Sequence, residues 1–180
     1  MSFNQIEYIN KYSKENYKTL LLKYKKNSVI FDWINNKNNK NGYVIKLIEN
    51  DIKNNINDVY HLLLNIKKDN YNKKIYFGDW LDEFYRNTNS LKQLMLEKEP
   101  IYNQEDPVFM SYIAATVEYL ANKYKLNVPN WVNDNKYVYD GVYYAGNTKI
   151  IDYQNYLKDN SPTEFFKRNL YVGDNILKRC

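Results

Sequence analysis

Apolar residues recur at three- and four-residue intervals through most of this chain, and strict alternation is scarce, so the pattern predicts helices rather than sheet. The spacing predicts helices over 3–12 and 13–26, the second capped by Ser13 and placing Leu20, Leu21 and Tyr24 on one face. Val29 to Ile34 continues as an apolar element. The Asn- and Lys-rich tract 35–42 has no core-facing residue and reads as a mobile loop. From Tyr43 the pattern returns, with Ile45, Ile48, Ile52, Ile56, Val59, Tyr60 and Leu63 marking one or two amphipathic helices over 43–68.

The second half carries sharper start signals. Asp79, after Gly78, reads as the cap of a short helix bearing Trp80, Leu81, Phe84 and Tyr85. Ser90 to Gln93 is a capping-box pattern opening another helix through Lys98. Asp106-Pro107 is the strongest signal, because proline at the first helical position lacks the N–H that would be left unbonded there. The helix after it, to Tyr124, places Phe109, Met110, Ile113, Val117, Leu120, Ala121 and Tyr124 on one stripe, with Ala114 and Ala115 permitting close approach. It is read as the central core helix.

Beyond it, Pro129-Asn130-Trp131 forms a turn. Tyr137 to Tyr144 suggests two strands around an Asp140-Gly141 turn. Ser161-Pro162-Thr163-Glu164 reads as a capping box with proline at the first helical position, opening a helix that carries Phe165, Phe166 and Arg168. Leu170 to Val172 reads as extended, and a last helical turn follows to Cys180. The expected fold is mainly α, a single-domain irregular helical bundle with little or no β structure. Its parts are a basic helical segment, 1–90, and a C-terminal region, 91–180, packed as one unit.

Composition narrows the chemistry. The chain has 180 residues, with 20 Tyr against 7 Phe and 3 Trp, so the aromatic load needs hydroxyl partners or wet rims. One histidine, His61, and one cysteine, Cys180, are too few for the usual zinc sites and leave no pair for an internal disulfide. No apolar run is long enough to span a bilayer, and the polar first residues lack a signal core, so the expected location is cytoplasmic, with no membrane partner. Residues 1–80 hold 14 Lys and 8 acidic residues, whereas 81–180 are nearly balanced, so a basic half could attract nucleic acid or an acidic partner. AT-rich codon usage, which favours Lys, Asn, Ile and Tyr together, is the competing reading.

No constellation stands out as catalytic, cofactor-binding or metal-ligating. His61 lies within an amphipathic run and reads as a helix-surface or core-edge residue. Five unclustered glycines cannot cradle a phosphate. Asp79, Asp82 and Glu83 read as a cap and a solvated first turn. Lys73 and Lys74, interleaved with Tyr71, Tyr76 and Phe77, are the candidate nucleic-acid contacts, the composition that stacks bases and tracks phosphates. Glu118 sits at the edge of the apolar stripe, and Arg168 within an aromatic-flanked helix. The two are expected to pair and dock the C-terminal segment onto the core helix.

The order Glu99-Pro100, Asp106 to Ala121, Val128-Pro-Asn-Trp131, Tyr143-Tyr-Ala-Gly146 and Ser161-Pro-Thr-Glu-Phe165 to Arg168-Asn169 resembles a poorly characterised bacterial family. Its members follow a helix-turn-helix module or stand alone as antitoxin-like chains, often beside a nucleotidyltransferase-like partner gene. No helix-turn-helix is visible in the first half here, and the family pattern makes 133–144 a loop or short helix. The resemblance implies a non-enzymatic regulatory or antitoxin-like protein that binds a protein partner, such as a nucleotidyltransferase-like toxin. A nucleic-acid-binding regulator using the basic half is the alternative. Trp131, Tyr143, Tyr144, Arg168 and Asn169 are the candidate partner-binding residues, since Trp, Tyr and Arg dominate interface hot spots; sealing the tail onto the core helix is their competing role.

Overall fold

The structure, a computed structural model, describes residues 5–17, 22, 23, 25, 26 and 28–178. It is mainly α: among the described residues, nine α-helices accompany one two-stranded parallel pair. Two compact units divide the chain between Asp51 and Ile52.

The first unit contains α1 (Gln5–Asn16), α2 (Val29–Asn35) and most of α3 (Lys40–Asn55). Ser13 lies inside α1 rather than at a cap, and Leu20, Leu21 and Tyr24 fall outside the described residues. Ser28 caps α2, its hydroxyl accepting from the Phe31 N–H at 3.2 Å. The polar tract expected over 35–42 shrinks to 36–39, because α3 begins at Lys40. The start signal is Asn39, whose side-chain oxygen accepts from the Gly42 N–H at 2.8 Å. Trp33 donates its indole N–H to the Tyr43 hydroxyl at 2.7 Å, and Lys37 sits 4.3 Å from the Trp33 ring centroid. Among the residues before Asp58 whose burial is described, none is buried.

The second unit is built around α7 (Pro107–Tyr124). Asp106 caps it, accepting from the Phe109 N–H at 3.1 Å, with Pro107 in the first turn. At its far end Lys125 adopts a left-handed conformation, φ 54°, so that the Leu126 N–H reaches back to the Ala121 carbonyl at 2.9 Å. Burial extends well beyond one stripe: Ser111, Thr116 and Glu118 are buried together with Met110, Ile113, Val117, Leu120 and the three alanines. A helix enclosed on most of its sides is a core element rather than a surface one.

Around it stand α4 (Val59–Lys68), α5 (Lys73–Arg86), α6 (Asn89–Glu97), α8 (Ile151–Asn160) and α9 (Thr163–Phe166). Asp58 caps α4 by accepting from the His61 N–H at 2.8 Å. Helix α5 starts six residues before Asp79, which is exposed in its interior and caps nothing. Gly78-Asp79 looked like a break because glycine weakens a helix interior by about 1 kcal/mol; here Gly78 is buried and the helix runs through it. Likewise α6 opens after Thr88, with Ser90 already inside it.

Val59, Leu62 and Ile66 from α4 and Trp80, Leu81 and Phe84 from α5 join the same core as Met110, Ile113 and Leu120 from α7. Residues 52–90 thus supply part of the core that also holds the C-terminal region, and the compact units divide at 51/52.

The tail also departs from expectation. Tyr137 to Tyr144 form no hairpin; of the two readings of that stretch the structure fits the loop or short helix, with a 3₁₀ turn at Asn135–Tyr137, while β1 (Tyr143–Tyr144) pairs in parallel with β2 (Leu170–Tyr171). Ser161 is not the cap of α9, which Pro162 precedes directly. Its hydroxyl accepts from the Val172 N–H at 2.8 Å and lies within bonding distance of the Leu157 and Val172 carbonyls, tying the end of α8 to the segment after β2.

Candidate functional site

Arg168 and Asn169 form the corner that sets the last segment against α7. The Arg168 guanidinium, 1% exposed, donates to Glu118 at 2.6 Å, to the Glu164 carbonyl at 2.7 Å and to the Val132 carbonyl at 2.6 Å. Lys167 makes a second ion pair with the same carboxylate from the solvent side. Two cations on one carboxylate, plus carbonyl acceptors for the two terminal guanidinium nitrogens, offset much of the cost of burying the charge, although the Arg168 Nε is buried without a partner among the described residues. Glu118 and Arg168 are thus in direct contact, linking α7, α9 and the turn at Asn130–Asn133.

Asn169 follows with φ 60°, a left-handed conformation that asparagine adopts more readily than most residues. Its amide donates to the Tyr139 carbonyl at 2.8 Å, and its own carbonyl accepts from the Tyr143 N–H at 3.0 Å. Trp131 is buried, donating to the Leu96 carbonyl at 3.4 Å and meeting Tyr137 edge-on with centroids 5.1 Å apart. Tyr137 in turn donates to Glu99 at 3.2 Å. Three of these bonds join residues that carry the sequence resemblance: Arg168 to Glu118, Arg168 to Glu164 and Tyr143 to Asn169.

That geometry changes the candidate partner surface. Trp131 and Arg168 face inward, which corrects their assignment as partner-facing residues, and Asn169 is engaged with backbone. Tyr143 is half-buried and packs against the core cluster. Tyr144 points the other way, as β-alternation requires. It stacks on Tyr171 with centroids 5.1 Å apart, and Phe166 meets Tyr171 edge-on at 5.5 Å. Lys158 of α8 lies 5.7 Å from both tyrosine rings, and its bond to the Tyr144 hydroxyl raises its pKa above the ordinary lysine value. Phe166 remains 49% exposed. Tyr144 and Tyr171 are half-buried, so the solvent-exposed part of this aromatic cluster is Phe166, with Lys158 exposed at its edge.

Comparison with protein-family models, curated proteins and solved structures finds no significant match. The functional reading rests on the residues themselves.

The remaining sequence candidates fall elsewhere. Lys73 forms an ion pair with Asp106 and lies 3.6 Å from the Phe109 ring centroid, so its charge is already engaged; Lys74 is exposed. His61 is half-buried and bonded through its ring to Asp58 at 2.8 Å. Glu83 accepts from the Asn57 amide at 2.8 Å. No group of three metal-ligating side chains converges among the described residues, and none of their helices is long and apolar enough to cross a membrane. Cys180 lies outside the described residues.

Sequence reasoning missed Phe166, Tyr171 and Lys158 as surface candidates. Helix α8 itself was not anticipated, since among its residues only Leu157 is buried and its apolar spacing is correspondingly faint. The pairing of Tyr143 with Leu170 joins segments far apart in sequence, and no local signal marks it.

Proposed function

We propose that this chain is a cytoplasmic regulatory protein of antitoxin-like type that acts by binding another protein, without chemistry of its own. The observation that carries the reading is the exposed Phe166 ring, set against the half-buried Tyr144–Tyr171 stack and edged by the exposed Lys158. Aromatic residues supply large contact area at low entropic cost and dominate interface hot spots. Here Tyr144 and Tyr171 are held on the paired strands β1 and β2, so that a partner meets a surface already ordered. The sequence resemblance names a nucleotidyltransferase-like toxin as the first partner to test.

The test is co-purification of the tagged chain with that product from the native host, comparing wild type with Phe166→Glu and Tyr144→Ala. The reading predicts at least tenfold less partner with either variant, with the melting temperature unchanged for Phe166→Glu. Equal recovery of the partner by the variants, or recovery of nucleic acid in its place, would count against it.

A further inference from the structure

A second site lies away from the aromatic face, where α4 meets the start of α7. A cleft of about 210 Å³ opens there, floored by Leu63, Ile66, Phe109 and Met110 and flanked by Tyr60 and Ile101. Drug-sized ligands occupy pockets of roughly 300–1,000 Å³, so this cleft suits a smaller guest, about one side chain with its attached polar groups.

Four charged residues line it: Lys67, Lys73, Glu105 and Asp106. Lys73 and Asp106 neutralise each other. Lys67 and Glu105 are exposed, and among the described residues neither is in an ion pair. The cleft therefore offers an apolar floor, one unpaired cation and one unpaired carboxylate. A monoanion would engage only Lys67 and a monocation only Glu105, whereas a zwitterion engages both; a phosphate ester would meet carboxylate repulsion.

We infer that this cleft binds a small zwitterion with an apolar body, namely a free apolar α-amino acid. Its side chain occupies the floor, its carboxylate faces Lys67 and its ammonium faces Glu105. Neither side chain is buried, so both are replaceable without loss of the fold, and the site is independent of the partner surface proposed above.

Isothermal titration calorimetry of the full chain with L-phenylalanine, L-leucine and L-methionine tests this. The companion titrants are 3-phenylpropionate, which lacks the ammonium, and phenethylamine, which lacks the carboxylate. Saturable binding of at least one amino acid is expected, with the phenyl analogues at least tenfold weaker than phenylalanine. Lys67→Met should abolish the advantage of phenylalanine over phenethylamine, and Glu105→Gln its advantage over 3-phenylpropionate. A purely structural role for either residue would not produce that exchange of preferences. Absence of heat for all three amino acids up to their solubility limits would overturn the inference. So would binding that both substitutions leave unchanged, or 3-phenylpropionate binding as tightly as phenylalanine.

Discussion

Residues 5–51 and residues 52–180 both carry apolar side chains at helical spacing, yet they dispose of them in opposite ways. In the first unit Ile6, Ile9, Val29, Ile30, Trp33 and Ile45 are all more than half exposed. In the second, 22 residues from Val59 to Leu177 form one buried cluster. Charge differs in parallel. Residues 1–51 hold 9 Lys and 5 acidic residues, whereas 52–180 hold 17 Lys and Arg against 16 acidic residues. Amphipathic spacing thus indicates helix in both regions but, among the described residues, a buried core in only one. A helix buries its stripe only where neighbours are positioned to receive it, and most helical stability derives from that packing. The second unit has such neighbours because α7 is contacted by α6, α9, β2 and two 3₁₀ turns.

Mutations in the two units should therefore differ in cost. Arg168→Met leaves Glu118 without its buried partner and should destabilise the chain by about 3–5 kcal/mol, read from urea unfolding. Lys37→Met, which removes the cation above Trp33, should change stability by less than about 0.5 kcal/mol. Equal effects would erase the contrast. The double variant Glu118→Leu/Arg168→Met should recover part of the loss, because no orphaned charge remains. Leu120→Ala, in the middle of α7, should cost about 3 kcal/mol through lost burial and an unfilled cavity, whereas Trp33→Ala should cost under about 1 kcal/mol.

A smaller effect sharpens how the tail is held. Ser161→Ala removes the acceptor for the Val172 N–H and should cost about 1–2 kcal/mol. Smaller still near neutrality is the pH response of the second unit. Burial raises the pKa of Tyr112 and of Tyr137 well above 10, with Glu99 adding to the effect at Tyr137. In the unfolded chain these hydroxyls ionise near 10, so above that pH the unfolded state holds fewer protons than the folded one. Stability is then fully present below pH 10 and falls as pH rises toward the folded values. Tyr137→Phe should lessen that alkaline decline in urea titrations between pH 9 and 11; an unaltered slope would remove Tyr137 as its source.

What could be read from the sequence follows from how local each cause is. Asp106-Pro107 and the apolar spacing to Tyr124 specify α7 within a single segment, and the structure places that helix as expected. Glu118 and Arg168 could be singled out because a carboxylate beside an apolar stripe needs a cation, and an arginine among aromatics needs an anion. The start of α5 could not, because Gly78-Asp79 imitates a boundary that burial of Gly78 overrides. The parallel pairing of β1 with β2 depends on chain geometry set by the Arg168–Asn169 corner, so the local Asp140-Gly141 turn signal was misleading. Partner-facing residues were misplaced for a related reason. Trp and Arg are favoured both at interfaces and in buried bonded corners, and only exposure separates the two roles, as it does for Phe166 against Arg168.

Native-state amide hydrogen exchange on the intact chain tests the contrast between the units most directly, since local opening free energy tracks buried packing. Slow exchange approaching the global unfolding limit is predicted for Ile113 to Ala121 of α7 and for Leu62 and Phe84, with exchange at least a thousandfold faster in α1, α2 and the first turns of α3. Protection in α1 to α3 as strong as that of α7 would contradict the account.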